Sequence, residues 1–170
     1  MVSKLHDITV TIASESITYP GDTRFRRSLV CELDAGAPFE LSRLETSAHI
    51  GTHIDAPAHF IAGGKRIADY SVNDFVFTAH VVDIPGSAPI TAAALAAVTT
   101  SPGDALLLKT ENSRSGRCRA GVFNRDWVFL TGGAATWCVE RELGLVGIDY
   151  VSIDGFADDS YPAHHAILHP

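Results

Sequence analysis

A mixed α/β domain is the fold class that this 170-residue sequence predicts, and three observations carry the prediction. Apolar runs of strand length recur along the chain, bounded by Gly and Pro. Two stretches, residues 91–99 and 134–143, have the composition of helices. No internal repeat, low-complexity tract or linker divides the chain, so residues 1–170 are expected to form a single domain. A hydrophobic content of 46% against 19% charged residues is ordinary for a globular chain of this length and suffices for a core.

Taken in order, residues 5–12 alternate Ile8, Val10 and Ile12 with Thr9 and Thr11, which predicts a strand. Tyr19-Pro20-Gly21-Asp22 is a turn: proline presets one backbone angle, and glycine supplies the permissive position. Residues 25–33 and 40–48 are further extended segments, the second running into a histidine-rich stretch. The glycine pair in residues 61–65 forms a turn without the spacing of a phosphate loop. Residues 75–84 predict an apolar strand in which His80 is a satisfied core or edge histidine. The helix at 91–99 stops at Ser101-Pro102-Gly103, and residues 104–110 follow as a buried strand. Residues 111–122 are polar, contain glycine and show no periodicity, which predicts an exposed loop. A short strand at 127–130 leads into the helix at 134–143, with Gly144 as its expected cap. Residues 145–153 are the last strand. Asp149 and Asp154, near its end, read as structural turn formers.

The formal charge of −7 and the absence of any Lys/Arg run exclude a nucleic-acid footprint. No apolar run approaches the 18 to 20 or so residues that span a bilayer. The start, MVSKLHDITVTIASES, lacks the layout of a signal peptide. Cys31, Cys118 and Cys138 are widely spaced and odd in number, so a reducing compartment is expected, and with it a cytoplasmic location. None of the three has the setting of a nucleophile.

The chemistry concentrates in SAHIGTHIDAPAHF, residues 47–60, where His49, His53, Asp55 and His59 put three imidazoles and a carboxylate within eleven residues. Their offsets of 4, 6 and 10 from His49 scatter them around a helix but face them to one side of an extended segment. A straight strand would hold His49 and Asp55 roughly 20 Å apart, too far for one ion. The chain must therefore bend, and Gly51 and Pro57 are where it can. Nitrogen and oxygen ligands of this kind suit Zn²⁺ or Mn²⁺. His164, His165 and His169 form a second cluster about a hundred residues later. There is no GxSxG, and Ser47 and Ser152 read as hydrogen-bonding residues. The reading that remains is a metal that acidifies a water, with a nearby imidazole moving protons, acting on amide or ester carbonyls.

His49-x-Gly51-Thr52-His53-x-Asp55-x-Pro57-x-His59 resembles the HxGTHxDxPxH motif of the cyclase family of metal-dependent hydrolases, which includes bacterial kynurenine formamidase and isatin hydrolase. Tyr19-Pro20-Gly21-Asp22-Thr23, residues 106–110, residues 130–135, Gly147-Ile148-Asp149 with Ser152 and Asp154, and Pro162-Ala163-His164 follow the family's order. The resemblance implies a swivelling β/β/α fold with a mixed sheet. It implies one or two divalent ions, Zn or Mn, per subunit, with His49, His53 and Asp55 on the first. Asp55 would bridge to the second, and His164, in preference to His165, would bind that second position. It makes His59 the general acid/base and puts Tyr19 where kynurenine formamidases carry a Trp lining the substrate pocket. The implied reaction is hydrolysis of a formamide or cyclic amide C–N bond, of the N-formylkynurenine type. The alternatives are opening of an isatin-like or lactone ring, or a catalytically weak metal-binding homologue. A small-molecule substrate and a homodimer or higher homo-oligomer are expected, with neither nucleic acid nor membrane as partner. Family members continue about a dozen residues past the position of His164 to a metal-binding Glu; this chain stops at Pro170, an apparent loss of the family's C-terminal segment.

Overall fold

A computed structural model describes residues 4–13 and 15–169. The described residues fall into two compact units: those within 1–54 together with 119–123, and those within 55–118 together with 124–170.

The first unit is built on a hairpin. Strand β1, Arg26–Cys31, pairs antiparallel with β2, Leu41–Glu45, and the register shifts between Leu29 and Cys31. The connection holds a single 3₁₀ turn, Leu33–Ala35, closed by Gly36 at a φ of 83°. The predicted turn at Tyr19 is present: Asp22 N–H donates to Tyr19 O at 3.0 Å, and Gly21 takes a φ of 97°. This is the type II geometry that selects glycine at the third position.

Residues 5–12 do not form the expected strand. Asp7 Oδ1 accepts both Thr9 N–H, at 2.9 Å, and Thr9 Oγ1–H, at 2.6 Å, a local turn that competes with ladder pairing. Ile8 stays 71% exposed, so no buried face drives pairing. The segment is tied down instead by Val10 N–H, which donates to Thr52 Oγ1 at 2.9 Å.

The second unit contains a parallel sheet in the order β3-β4-β5, with β3 at Ala79–Asp83, β4 at Ala105–Lys109 and β5 at Leu145–Ile148. Central β4 buries Ala105, Leu106 and Leu108, which explains its unbroken apolar sequence. Helix α1, Ala92–Leu95, is a single turn where a longer helix was expected. Helix α2, Glu111–Arg114, occupies the start of the expected loop: Thr110 caps it through Asn112 N–H, and Arg114 Nη1 donates to Ile84 O at 3.0 Å. Helix α3 runs over Gly132–Val139; it starts two residues earlier than expected, because Thr131 Oγ1 accepts Ala134 N–H, and it ends short of the expected Leu143. Gly144 does not cap α3; the left-handed residue beyond it is Glu142, φ 53°. Helix α4, Pro162–Leu168, carries His164 and His165 of the second histidine cluster, with His169 just past its end in extended backbone. Small residues let α3 and α4 approach: Ala134, Ala135 and Ala163 are fully buried, and a Cβ on Gly132 would lie 3.1 Å from that of Pro162.

Residues 127–130 do not form the expected short strand, although Trp127, Val128 and Leu130 are buried. Their only ladder contact among the described residues is a bridge between Ile90 and Leu130. The side chain of Asn112 stands in for a neighbouring strand, donating to Val128 O and accepting Val128 N–H, both at 2.9 Å. His80 is satisfied as expected, its Nε2 lying 2.8 Å from Asp104 Oδ2. No helix among the described residues is long and apolar enough to cross a membrane.

Candidate functional site

Tyr19, His49 and His53 belong to the first unit, and Asp55, His59 and His164 to the second. In the first unit the chain bends through residues 48–52, as the spacing of the motif required. Gly51 takes a φ of 62°, and a Cβ there would come within 2.8 Å of Ile12 Cγ1, so both conformation and space demand glycine. Ser47 prepares the bend: its Oγ–H donates to Asp22 Oδ2 and its Oγ accepts His49 N–H, each at 3.1 Å. The bend brings the His49 and His53 rings edge to face, with centroids 5.2 Å apart. His53 Nδ1–H donates to Gly51 O at 3.0 Å, which puts the proton of the neutral ring on Nδ1 and the lone pair on Nε2. Tyr19, on its stiff corner, meets the ring of Phe123 edge-on at 5.4 Å.

In the second unit Pro57 opens a 3₁₀ turn, Pro57–His59, the second bend that the sequence calls for. The glycine-rich turn that follows packs back on it. Ala58 N–H donates to Lys65 O at 2.9 Å, and a Cβ on Gly64 would lie 2.9 Å from the Pro57 carbonyl carbon. That turn is a brace, with no phosphate-loop geometry. His59 is exposed, its ring edge-on to Phe60 at 4.7 Å and 6.1 Å from that of His164. His164 is buried in the first turn of α4, stacked on Phe60 at 4.4 Å. Its Nδ1–H donates to Asp154 Oδ2 at 2.6 Å, and its Nε2 faces Asp55 Oδ2 at 3.8 Å. His165 is exposed, its ring edge-on to that of Phe60 at 5.3 Å.

Burial acts to lower the His164 pKa, but the hydrogen bond to Asp154 and the Asp55 carboxylate outweigh it, and the ring is held above the ordinary histidine value. Burial acts to raise the Asp154 pKa, but the bonds from His164 and Ala163 outweigh it, and the carboxyl stays below its ordinary value. Cys138 takes no part: it is buried in the core, with its thiol pushed up to about 11 by burial.

Two residues here escaped the sequence reading. Asp154 is indeed a turn former, accepting Ala163 N–H at 2.8 Å and His164 N–H at 3.0 Å, but it also grips the His164 ring. An acidic residue shortly before a Pro-initiated helix that carries histidine was the available signal. Phe60 gave no signal beyond its place next to His59.

Within the second unit, a divalent ion fits the pairing of His164 with Asp55. Nitrogen and carboxylate ligands around one tetrahedral ion, each at about 2.1 Å, stand roughly 3.4 Å apart, and His164 Nε2 and Asp55 Oδ2 are 3.8 Å apart. His53 and His164 each give their second ring nitrogen to an oxygen acceptor, the usual outer bond of a ligating imidazole.

Comparison with known proteins agrees. The family model described as putative cyclase matches residues 6–155. Kynurenine formamidase of Bacillus cytotoxicus is 30% identical over 162 residues, covering 95% of this chain and 76% of that protein. A solved structure described as a potential metal-dependent hydrolase with cyclase activity superposes with a TM-score of 0.80 at 27% identity, over 96% of this chain and 76% of that one. Isatin hydrolase A from Ralstonia solanacearum shares the fold, with a TM-score of 0.76 at 23% identity over 95% of this chain and 75% of its own. The mixed α/β fold expected from the sequence is the fold of these hydrolases, and the chain belongs to the cyclase family.

Proposed function

We propose that this chain is a metal-dependent hydrolase of a formamide or cyclic amide C–N bond, with N-formylkynurenine-like anilides as the first substrates to try. The observation that carries the reading is the motif from His49 to His59, with all its histidine, glycine, aspartate and proline positions filled. It is supported by the placing of its residues within each unit and by relatives described as kynurenine formamidases. His49, His53, Asp55 and His164 are the proposed ligands, and Zn²⁺ or Mn²⁺ the ions that suit them, one or two per subunit. A bound ion supplies Lewis acidity that activates water and polarises the amide carbonyl.

The chain's own residues do the rest. His59, exposed at the end of its 3₁₀ turn, takes a proton from the attacking water and returns it to the departing nitrogen. Tyr19, braced by Phe123, presents an aromatic wall to an aryl substrate. Phe60 packs between His59 and His164 and limits the freedom of both rings. A homodimer or higher homo-oligomer is part of this proposal, and light scattering on the purified protein checks it.

The test is hydrolysis of an aryl formamide with added Zn²⁺ or Mn²⁺, compared with chelator and with His59→Ala. Chelator is expected to abolish turnover, and the substitution to lower it by about 10²–10⁴-fold. Equal rates under all three conditions overturn the proposal. Isatin and lactone substrates assayed alongside decide whether ring opening is preferred. Metal binding without turnover across the panel identifies a binding homologue instead.

A further inference from the structure

We infer that Asp154 is a positioning residue that fixes the ring orientation and tautomer of His164, and so decides whether His164 can act as a ligand at all. The inference rests on the metal-ligand reading of His164. Its basis is the geometry of one carboxylate. Asp154 is 1% exposed and makes three contacts with α4: Oδ1 accepts Ala163 N–H at 2.8 Å, while Oδ2 accepts His164 N–H at 3.0 Å and His164 Nδ1–H at 2.6 Å. Two backbone bonds pin the carboxylate to the helix start, so the third reaches the ring from a fixed point. A carboxylate can only accept, so the neutral ring must carry its proton on Nδ1, leaving the lone pair on Nε2. That nitrogen faces Asp55, 3.8 Å away, the direction a shared cation requires.

The rest of the environment holds the arrangement in place. Phe60 lies nearly parallel to the imidazole, with an interplanar angle of 21°, and opposes ring rotation. The backbone of Asp154 is anchored separately, its carbonyl accepting Trp127 Nε1–H at 3.1 Å. Asp154 therefore does more than cap a helix. An asparagine would leave the tautomer unchanged, because with its amide oxygen in place of Oδ2 it keeps both His164 bonds and gives up only the one from Ala163 N–H. Alanine removes the acceptor altogether; the neutral ring then carries its proton on Nε2, facing Asp55, and the ligand lone pair there is lost.

The experiment begins with the metal-free native protein. Long-range ¹H–¹⁵N spectra at alkaline pH, with His164 assigned by comparison with His164→Gln, are expected to show Nδ1 protonated. In Asp154→Ala the same spectra are expected to show Nε2 protonated. Zn²⁺ titration of that variant is expected to give a Kd about 10–100-fold higher than wild type, with unchanged far-ultraviolet dichroism and unchanged Trp127 emission. A wild-type ring protonated on Nε2 overturns the inference, and so does a folded Asp154→Ala with wild-type Zn²⁺ affinity. If the variant does not fold, the wild-type tautomer decides alone. Neither readout needs substrate: an inactive protein with the expected tautomer and affinity change would sink the hydrolase proposal and leave this one standing.

Discussion

Replacing Asn112 by Ala is expected to cost about 4 kcal/mol of stability, because it strips partners from two buried backbone groups at once. The Asn112 side chain is fully buried, and its amide satisfies both Val128 N–H and Val128 O in the manner of a missing strand. An unsatisfied buried donor or acceptor costs roughly 1–3 kcal/mol, so two give roughly 2–6 kcal/mol, with a centre near 4. For a domain of this size the dependence on urea is about 2 kcal/mol per molar, so the midpoint should fall by about 2 M. Equilibrium urea unfolding followed by Trp emission measures this, provided the slope is unchanged. Asn112→Asp separates the two bonds: it keeps an acceptor for Val128 N–H, loses the donor to Val128 O, and sets a carboxylate beside Asp149, which lies 3.5 Å from Asn112 Nδ2. It should be at least as damaging as Ala. A loss below about 1 kcal/mol in Asn112→Ala would refute the idea that a side chain substitutes for strand pairing here.

Asp149 gives a prediction about pH. Burial acts to raise its pKa, but hydrogen bonds from Ser113 and Thr110 outweigh this and hold the carboxyl below its ordinary value. A depressed folded-state pKa adds stability that is present above the unfolded value of about 3.9 and is lost as pH falls through the folded value. The gap in urea midpoint between wild type and Asp149→Asn should therefore be wide at pH 7 and narrow at pH 3; an equal gap at both would show that ionisation is irrelevant. Gly51→Ala forces a residue with a Cβ into a φ of 62° against Ile12, costing about 1–2 kcal/mol from conformation alone. Because Gly51 O is the acceptor for His53 Nδ1–H, the same change should lower bound metal in elemental analysis, and wild-type metal content would contradict that coupling.

The sequence made the bend legible because its demands were contradictory: three imidazoles and a carboxylate at even offsets, scattered around a helix and too far apart on a straight strand, with glycine and proline at the points of relief. The buried strand at 104–110 was legible from its unbroken apolar run, which is what the centre of a sheet covered on both faces has to show. What failed was local. Residues 5–12 alternate like a strand, yet Asp7 spends the backbone N–H of Thr9 on its own side chain, which alternation cannot reveal. Residues 111–122 lack periodicity because a single capped turn of helix is too short to show any. Residues 127–130 look like a strand because they are buried like one, and only the reach of Asn112 across sixteen positions shows where their hydrogen bonds go. Asp154 was hidden because a helix cap and a histidine clamp require the same residue type at the same place.

The corner at Tyr19 has a consequence for the order in which the chain acquires its parts. Its aromatic neighbour Phe123 lies in residues 119–123, which complete the first unit after the chain has traversed most of the second. A nascent chain ending at residue 118 can already form the hairpin of β1 and β2, but it holds Tyr19 without its brace. Gly121 is the other half of that late closure, sitting so near residue 15 that a Cβ would come within 3.0 Å of Glu15 O. Closing so long a loop is slow but thermodynamically inexpensive, since its entropy grows only with the logarithm of length. The proposed substrate wall is thus assembled from two distant parts of the message, and it cannot be finished before the second part has been translated.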